Sequence, residues 1–205
     1  ESEKVLFRNS SPTIFAMEGF VMPEISKYGN VIEYPSLLKT QNSFVTNFSS
    51  PYSILITFGR SGDLSDRYKV IIENLNDMED FQFYYDSSYS DSAHGDTFDF
   101  SENSFSKLSL IIARPGIGII SDSIKYKTPL IVDSFYSNKE IEFNAQKIEE
   151  LGIGKRLDLN NTSLLKTSLV EILNDLDQEF FFLESFYKIN TGGVDVISDY
   201  ILSNL

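Results

Sequence analysis

The stretch from Leu110 to Gly152 reads LIIARPGIGIISDSIKYKTPLIVDSFYSNKEIEFNAQKIEELG, and it limits the fold more than any other part of the chain. Leu110-Ile111-Ile112 is a short apolar run that stops at Arg114-Pro115-Gly116, as a buried parallel strand does when it meets a turn. After Gly116 and Gly118 the pattern becomes helical through Asp122, Ile124 and Tyr126, and Thr128-Pro129 ends it. Leu130-Ile131-Val132 is a second strand. Strand, glycine turn, helix, strand within so few residues predicts a right-handed crossover. The ligand of such a unit belongs at the carboxyl end of its first strand, here the Arg114–Gly118 turn.

The remaining chain repeats the theme. Ser53 to Phe58 is a buried strand followed at once by Gly59-Arg60-Ser61-Gly62. A helix follows whose apolar face carries Leu64, Tyr68, Ile71, Ile72 and Leu75. Phe81 to Tyr85 is the next strand, Thr97 to Phe100 a short one, and Asn103 to Lys107 about a turn of helix. Ile141, Ala145, Ile148 and Leu151 stripe a helix that Gly152 closes, and Lys155 to Asp158 reads as a last short strand. Two further amphipathic helices are expected, through Leu165–Leu176 and Val194–Leu205. The order predicts an α/β domain with a doubly wound, Rossmann-like parallel sheet over residues 53–205. Prolines punctuate residues 1–52, which read as a linker or peripheral segment with one or two edge strands around Thr13 and Val31.

Bulk properties narrow the partners. Thirty acidic against seventeen basic residues leave a formal charge of −13, which disfavours a nucleic-acid backbone as ligand. The absence of cysteine removes disulfides and thiolate chemistry, and with one histidine a structural metal is not expected. No membrane span or leader pattern is apparent, so a cytoplasmic protein is expected, with peripheral membrane association through another domain as the alternative.

Glycines at 116 and 118 let main-chain N–H groups approach an anion where helix dipoles concentrate positive charge, and Arg114 adds a permanent planar cation. The alternative is an ordinary strand-to-helix turn with a surface arginine. Asp122, one helical turn on, can face the same crevice, or be a solvated helix acid. Glu140 and Asn144 are spaced i, i+4 and can share a polar face, or Glu140 can simply favour a helix start. His94 reads as a solvent-facing loop histidine. Phe98 and Phe100 read as core, with stacking on a base as the second option.

In this order the residues resemble the C-terminal, donor-binding domain of GT-B glycosyltransferases. They are most similar to the lipid-linked N-acetylglucosaminyltransferase and macrolide glycosyltransferase group. There a strand ends in Ser-Arg-Pro-Gly-x-Gly or a related turn, an acid follows within the next helix, and a Pro-led strand and Glu-Gln-x-x-Asn-Ala come after it. The counterparts are Ala113 to Gly118, Asp122, Pro129 to Val132, and Glu140 to Ala145, with Ile56 to Gly62 as the first strand and glycine loop. Asp122 replaces a Glu, Ile141 a Gln, and Gly59-Arg60 a Gly-Gly.

The resemblance implies one half of a GT-B enzyme, with an N-terminal acceptor domain or partner subunit supplying the remainder. It implies a nucleotide diphospho-sugar, most simply a UDP-sugar, as substrate and no further cofactor. Gly59, Arg60, Ser61, Gly62, Gly116, Ile117, Gly118 and Ile119 would hold the diphosphate, Asp122 the ribose, and Glu140 and Asn144 the sugar. Arg114 would stabilise the leaving diphosphate as the catalytic residue. Two other functions fit the same residues: a non-catalytic binding subunit of a two-part glycosyltransferase, or a nucleotide-sugar hydrolase or epimerase, which would need a histidine or carboxylate at the sugar.

Overall fold

A computed structural model describes residues 12–37, 51–59, 65–75, 78–86, 95–134, 138–177 and 181–204. They fall into two compact units, one holding residues 12–37 and 189–204 and the other residues 51–188.

The larger unit is built on six parallel strands: β3 (Tyr52–Thr57), β4 (Phe81–Tyr85), β5 (Asp96–Thr97), β6 (Leu110–Ala113), β7 (Leu130–Asp133) and β8 (Gly154–Leu157). Their spatial order is β5-β4-β3-β6-β7-β8. The chain starts in the middle, steps outward twice on one side, then returns to β3 and steps outward on the other. This reversal is the mark of a doubly wound sheet. Because the crossovers run in opposite directions from β3 and β6, right-handed connections put α1 (Ser65–Leu75) on one face and α3 (Ile117–Tyr126) and α4 (Lys139–Glu150) on the other.

Sequence dictates this arrangement through continuous apolar runs. All four residues of β6 and of β7 are buried, as are Ser53 to Thr57 in β3, so these strands are covered on both faces. α1 presents Ile71, Ile72 and Leu75 to this core, and α4 presents Ile141, Ala145 and Ile148. α5 (Thr162–Asp177) adds Leu165, Leu169, Ile172 and Leu173, and α6 (Phe181–Tyr187) adds Phe186. α4 starts at Asn138, whose side chain accepts from the N–H of Glu140 (2.8 Å) and Ile141 (3.3 Å). Just past its C-cap Leu151, Gly152 takes φ +70°, as the glycine after a helix commonly does.

The expected strand over Thr97–Phe100 is shorter. Pairing stops at Thr97, and the chain passes through Phe100 at φ +55°, a conformation that no strand can continue. The short α2 (Glu102–Phe105) then begins, capped by Ser101 Oγ on the Ser104 N–H at 3.2 Å.

In the smaller unit β1 (Thr13–Met17) and β2 (Asn30–Tyr34) pair parallel with each other. α7 (Gly193–Ser203) belongs with them: Phe15 meets Tyr200 edge-on at 5.4 Å. The carbonyl of Ser36 accepts from the N–H of both Gly192 and Gly193 at 3.0 Å. A β-carbon at Gly193 would stand 2.1 Å from the Pro35 carbonyl oxygen, so the crossing of these two segments needs glycine.

Candidate functional site

β3 and β6 are neighbours at the point where the strand order reverses, and their last residues, Thr57 and Ala113, lie side by side. A crevice lies beyond the carboxyl edge of the sheet at this point, where α/β folds hold ligands. It measures about 280 Å³. Thr57, Phe58 and Gly59 line it from the end of β3 and the residues just past it, Arg114 and Gly116 from the turn after β6, Gly118, Ile119 and Asp122 from α3, and Phe100 from the loop after β5.

Hydrogen bonds fix the turn between β6 and α3. The Arg114 N–H donates to the Thr57 carbonyl (3.2 Å), tying the two strand ends together, and the Gly116 N–H donates to the Arg114 carbonyl (2.8 Å). Gly116 is the N-cap of α3 and has no side chain to cap it, unlike Asn138 in α4 or Ser101 in α2. The first hydrogen bond into this cap runs from the Ile120 N–H to the Gly116 carbonyl at 3.1 Å. The N–H groups of Ile117, Gly118 and Ile119 therefore have no partner within the helix, and the dipole of α3 concentrates positive character there.

Neither glycine is required by its own surroundings. Gly116 has φ −79°, a value any residue adopts, and a β-carbon on either Gly116 or Gly118 would meet nothing within 4 Å. Their missing side chains leave space in front of the helix. Gly59, on the opposite wall, does need its residue type, since its φ is +71°.

Arg114 is partly exposed at the crevice, and no carboxylate among the described residues pairs with it. Asp122 is partly buried in the wall. Desolvation raises its carboxyl pKa above the usual range, with the charge of Lys125 opposing the shift. Lys125 itself is held by Glu102 at 2.5 Å.

The expected site residues divide into three groups. Gly59, Arg114, Gly116, Gly118, Ile119 and Asp122 meet at the crevice, and Ile117 lies between two of them in the first turn of α3. Glu140 is exposed in the first turn of α4, outside the lining, and Asn144 is buried with its Nδ2 donating to the Pro115 carbonyl at 3.0 Å. Arg60, Ser61 and Gly62 lie outside the described residues, as does His94, which was expected to face solvent.

Two lining residues carried no earlier assignment to the crevice: Thr57 and Phe58, whose strand-end position is their only sequence signal. Phe98 is core, as expected. Phe100 is not: it is 44% exposed, lines the crevice and stands edge-on to Phe98 at 5.1 Å. Among the described residues no group of histidine, cysteine and carboxylates has metal-binding geometry, and no helix is long and apolar enough to cross a membrane.

No protein-family profile and no curated protein matches this chain. Solved structures do. A glycosyltransferase of kitacinnamycin is 15% identical with a TM-score of 0.60, covering 91% of this chain and 53% of its own. The spinosyn rhamnosyltransferase SpnG complexed with thymidine diphosphate is 11% identical with a TM-score of 0.60, covering 89% and 54%. MurG from Acinetobacter baumannii is 15% identical with a TM-score of 0.62, covering 93% and 66%. The chain thus spans about half to two thirds of the length of these structures. At such low identity the likeness speaks for architecture, and the resemblance noted in the sequence holds at that level: this chain has the Rossmann-like α/β fold of GT-B glycosyltransferases, matching about half of such an enzyme.

Proposed function

We propose that the larger unit binds the nucleotide diphosphate part of a sugar donor and that the complete protein transfers the sugar to an acceptor held by another domain. The observation that carries this reading is the pair of glycines at the start of α3, whose absent side chains leave room for a ligand at an uncapped helix N-terminus. A diphosphate placed there accepts from the N–H groups of Ile117, Gly118 and Ile119, and the Arg114 guanidinium supplies a bidentate cation beside it. Asp122 accepts from the ribose hydroxyls, and the exposed ring of Phe100 offers a stacking face for the base.

In this reading the chemistry is electrostatic. Transfer breaks the bond between the sugar's anomeric carbon and the terminal phosphate oxygen, and negative charge grows on the departing diphosphate. Preorganised N–H dipoles and Arg114 sit where that charge develops. Among the described residues lining the crevice Asp122 is the one carboxylate, and it stands in the wall as an acceptor; the base that activates the acceptor comes from the other domain. A pyrimidine donor, UDP-linked, is the first choice.

Calorimetric titration with UDP, TDP and GDP tests the reading. One nucleotide should saturate. Arg114→Ala should weaken it about ten- to a hundredfold, the value of one or two charge-assisted hydrogen bonds. Gly118→Ala should weaken it about tenfold while leaving the fold unharmed or slightly more stable, because alanine is the better helix former and its β-carbon meets no protein atom. No binding of any of the three nucleotides would reject the reading.

A further inference from the structure

Asn144 stands in the apolar stripe of α4, three residues after Ile141 and four before Ile148, and is 1% exposed. A polar amide on such a face needs a partner, and it has one across the structure: Nδ2 donates to the Pro115 carbonyl at 3.0 Å. That carbonyl belongs to the peptide unit whose N–H, that of Gly116, donates to the Arg114 carbonyl at 2.8 Å. One peptide plane is thereby gripped at both ends. Its orientation sets the Gly116 cap, and through the cap the direction of the N–H groups of Ile117, Gly118 and Ile119. Proline at 115 brings no N–H of its own. Asn144 thus gives this turn a side-chain hydrogen bond from the buried face of α4.

We infer that Asn144 is a positioning residue for diphosphate binding: from behind the Arg114–Gly116 turn it holds the peptide that aims the first N–H groups of α3, and Arg114, into the crevice. It does not touch the ligand. The inference rests on the reading that the crevice takes a nucleoside diphosphate. Its consequence is selective, since losing the Asn144 amide frees the Pro115–Gly116 plane to rotate and misaligns the diphosphate donors. The walls that face ribose and base, formed by Asp122 and Phe100, keep their own supports.

The test uses the full chain with UDP and uridine as probes and with Asn144→Ala and the closer-volume Asn144→Leu as variants. UDP affinity should fall about tenfold, the effect of one misplaced charge-assisted hydrogen bond, while uridine affinity stays within about twofold. In a double-mutant cycle the loss should be strongly non-additive with Arg114→Ala, because both act on the same contact. Amide hydrogen exchange should rise at Gly116 and Ile120 and stay unchanged in β3 and β7. Unchanged UDP binding in Asn144→Leu would overturn the inference alone. Equal losses for UDP and uridine, with exchange rising throughout the sheet, would also overturn it by making Asn144 merely structural. A wild-type chain that binds no nucleoside diphosphate would remove the donor-site reading and this inference with it.

Discussion

Asp122 carries a conflict that its stability should reveal. Burial raises its carboxyl pKa, so ionisation is costlier in the folded chain than in the unfolded one. Relative to the ionised form, the folded state is therefore favoured below the unfolded pKa, and that advantage is lost as pH rises through the elevated folded value, so against a residue neutral at every pH Asp122 is level at low pH and penalised at high pH. Asp122→Asn should accordingly unfold at higher temperature than the wild type at pH 7, and the gap should close as pH falls toward 4. The same variant should bind the donor nucleotide more weakly, since it replaces a carboxylate acceptor with an amide. Thermal melts across pH, paired with titration, check both signs; equal melting temperatures at every pH would show that burial imposes no such cost. That several residues would share one crevice was legible for simple reasons. Arg114, Gly116, Gly118 and Asp122 are local in sequence, and a helix turn fixes their mutual placement. Phe100 was not legible, because its exposure follows from a backbone at φ +55°, which phenylalanine does not advertise. Asn144 did leave a signal: spacing from Ile141 and Ile148 puts it on the buried face, whereas its spacing from Glu140 suggests a polar one. Burial decided between the two.

At the scale of elements, strands and helices of the larger unit were readable because each is short, strongly apolar or strongly periodic, and bounded by Gly, Pro or Asn. Pairing order was readable only in part. The crossover from β6 to β7 follows from chain length, while the return of β6 to the inner edge of β3 depends on contacts between residues far apart in sequence. The β7–β8 edge shows how closely these elements fit. Gly154 pairs with Leu130, and a β-carbon there would lie 2.3 Å from the Leu130 carbonyl oxygen and 2.6 Å from Ile148 Cγ2. Gly154→Ala must push β8 from β7 or α4 from the sheet, at a cost of about 1–3 kcal/mol. Urea denaturation should show a lower midpoint with an unchanged slope. An unchanged midpoint would mean that β8 is free to shift.

For the molecule as a whole, the charge of −13 surrounds a site read as anion-binding. Long-range repulsion should slow the approach of a nucleotide even where Arg114 and α3 favour it once arrived. Raising ionic strength from about 0.01 to 0.15 M shortens the screening length from about 30 to 8 Å, so the association rate of fluorescently labelled UDP should increase severalfold in stopped-flow mixing. A decrease would show that the local cation outweighs the net field. The division into two units was the least legible feature. β1 and β2 were expected as peripheral strands, but nothing in their sequence foretells that α7, more than 150 residues later, joins them; the bond that settles it, Ser36 to Gly192 and Gly193, is visible only in three dimensions.

That closure has a consequence for how such a chain can change. Because residues 12–37 and 189–204 build one body, the sheet between them is an uninterrupted insert with a single way in and a single way out. An insert of this kind is a cassette: recombination at two places, near 37 and near 189, would exchange the whole crevice at once while the bonds within the smaller unit stay as they are.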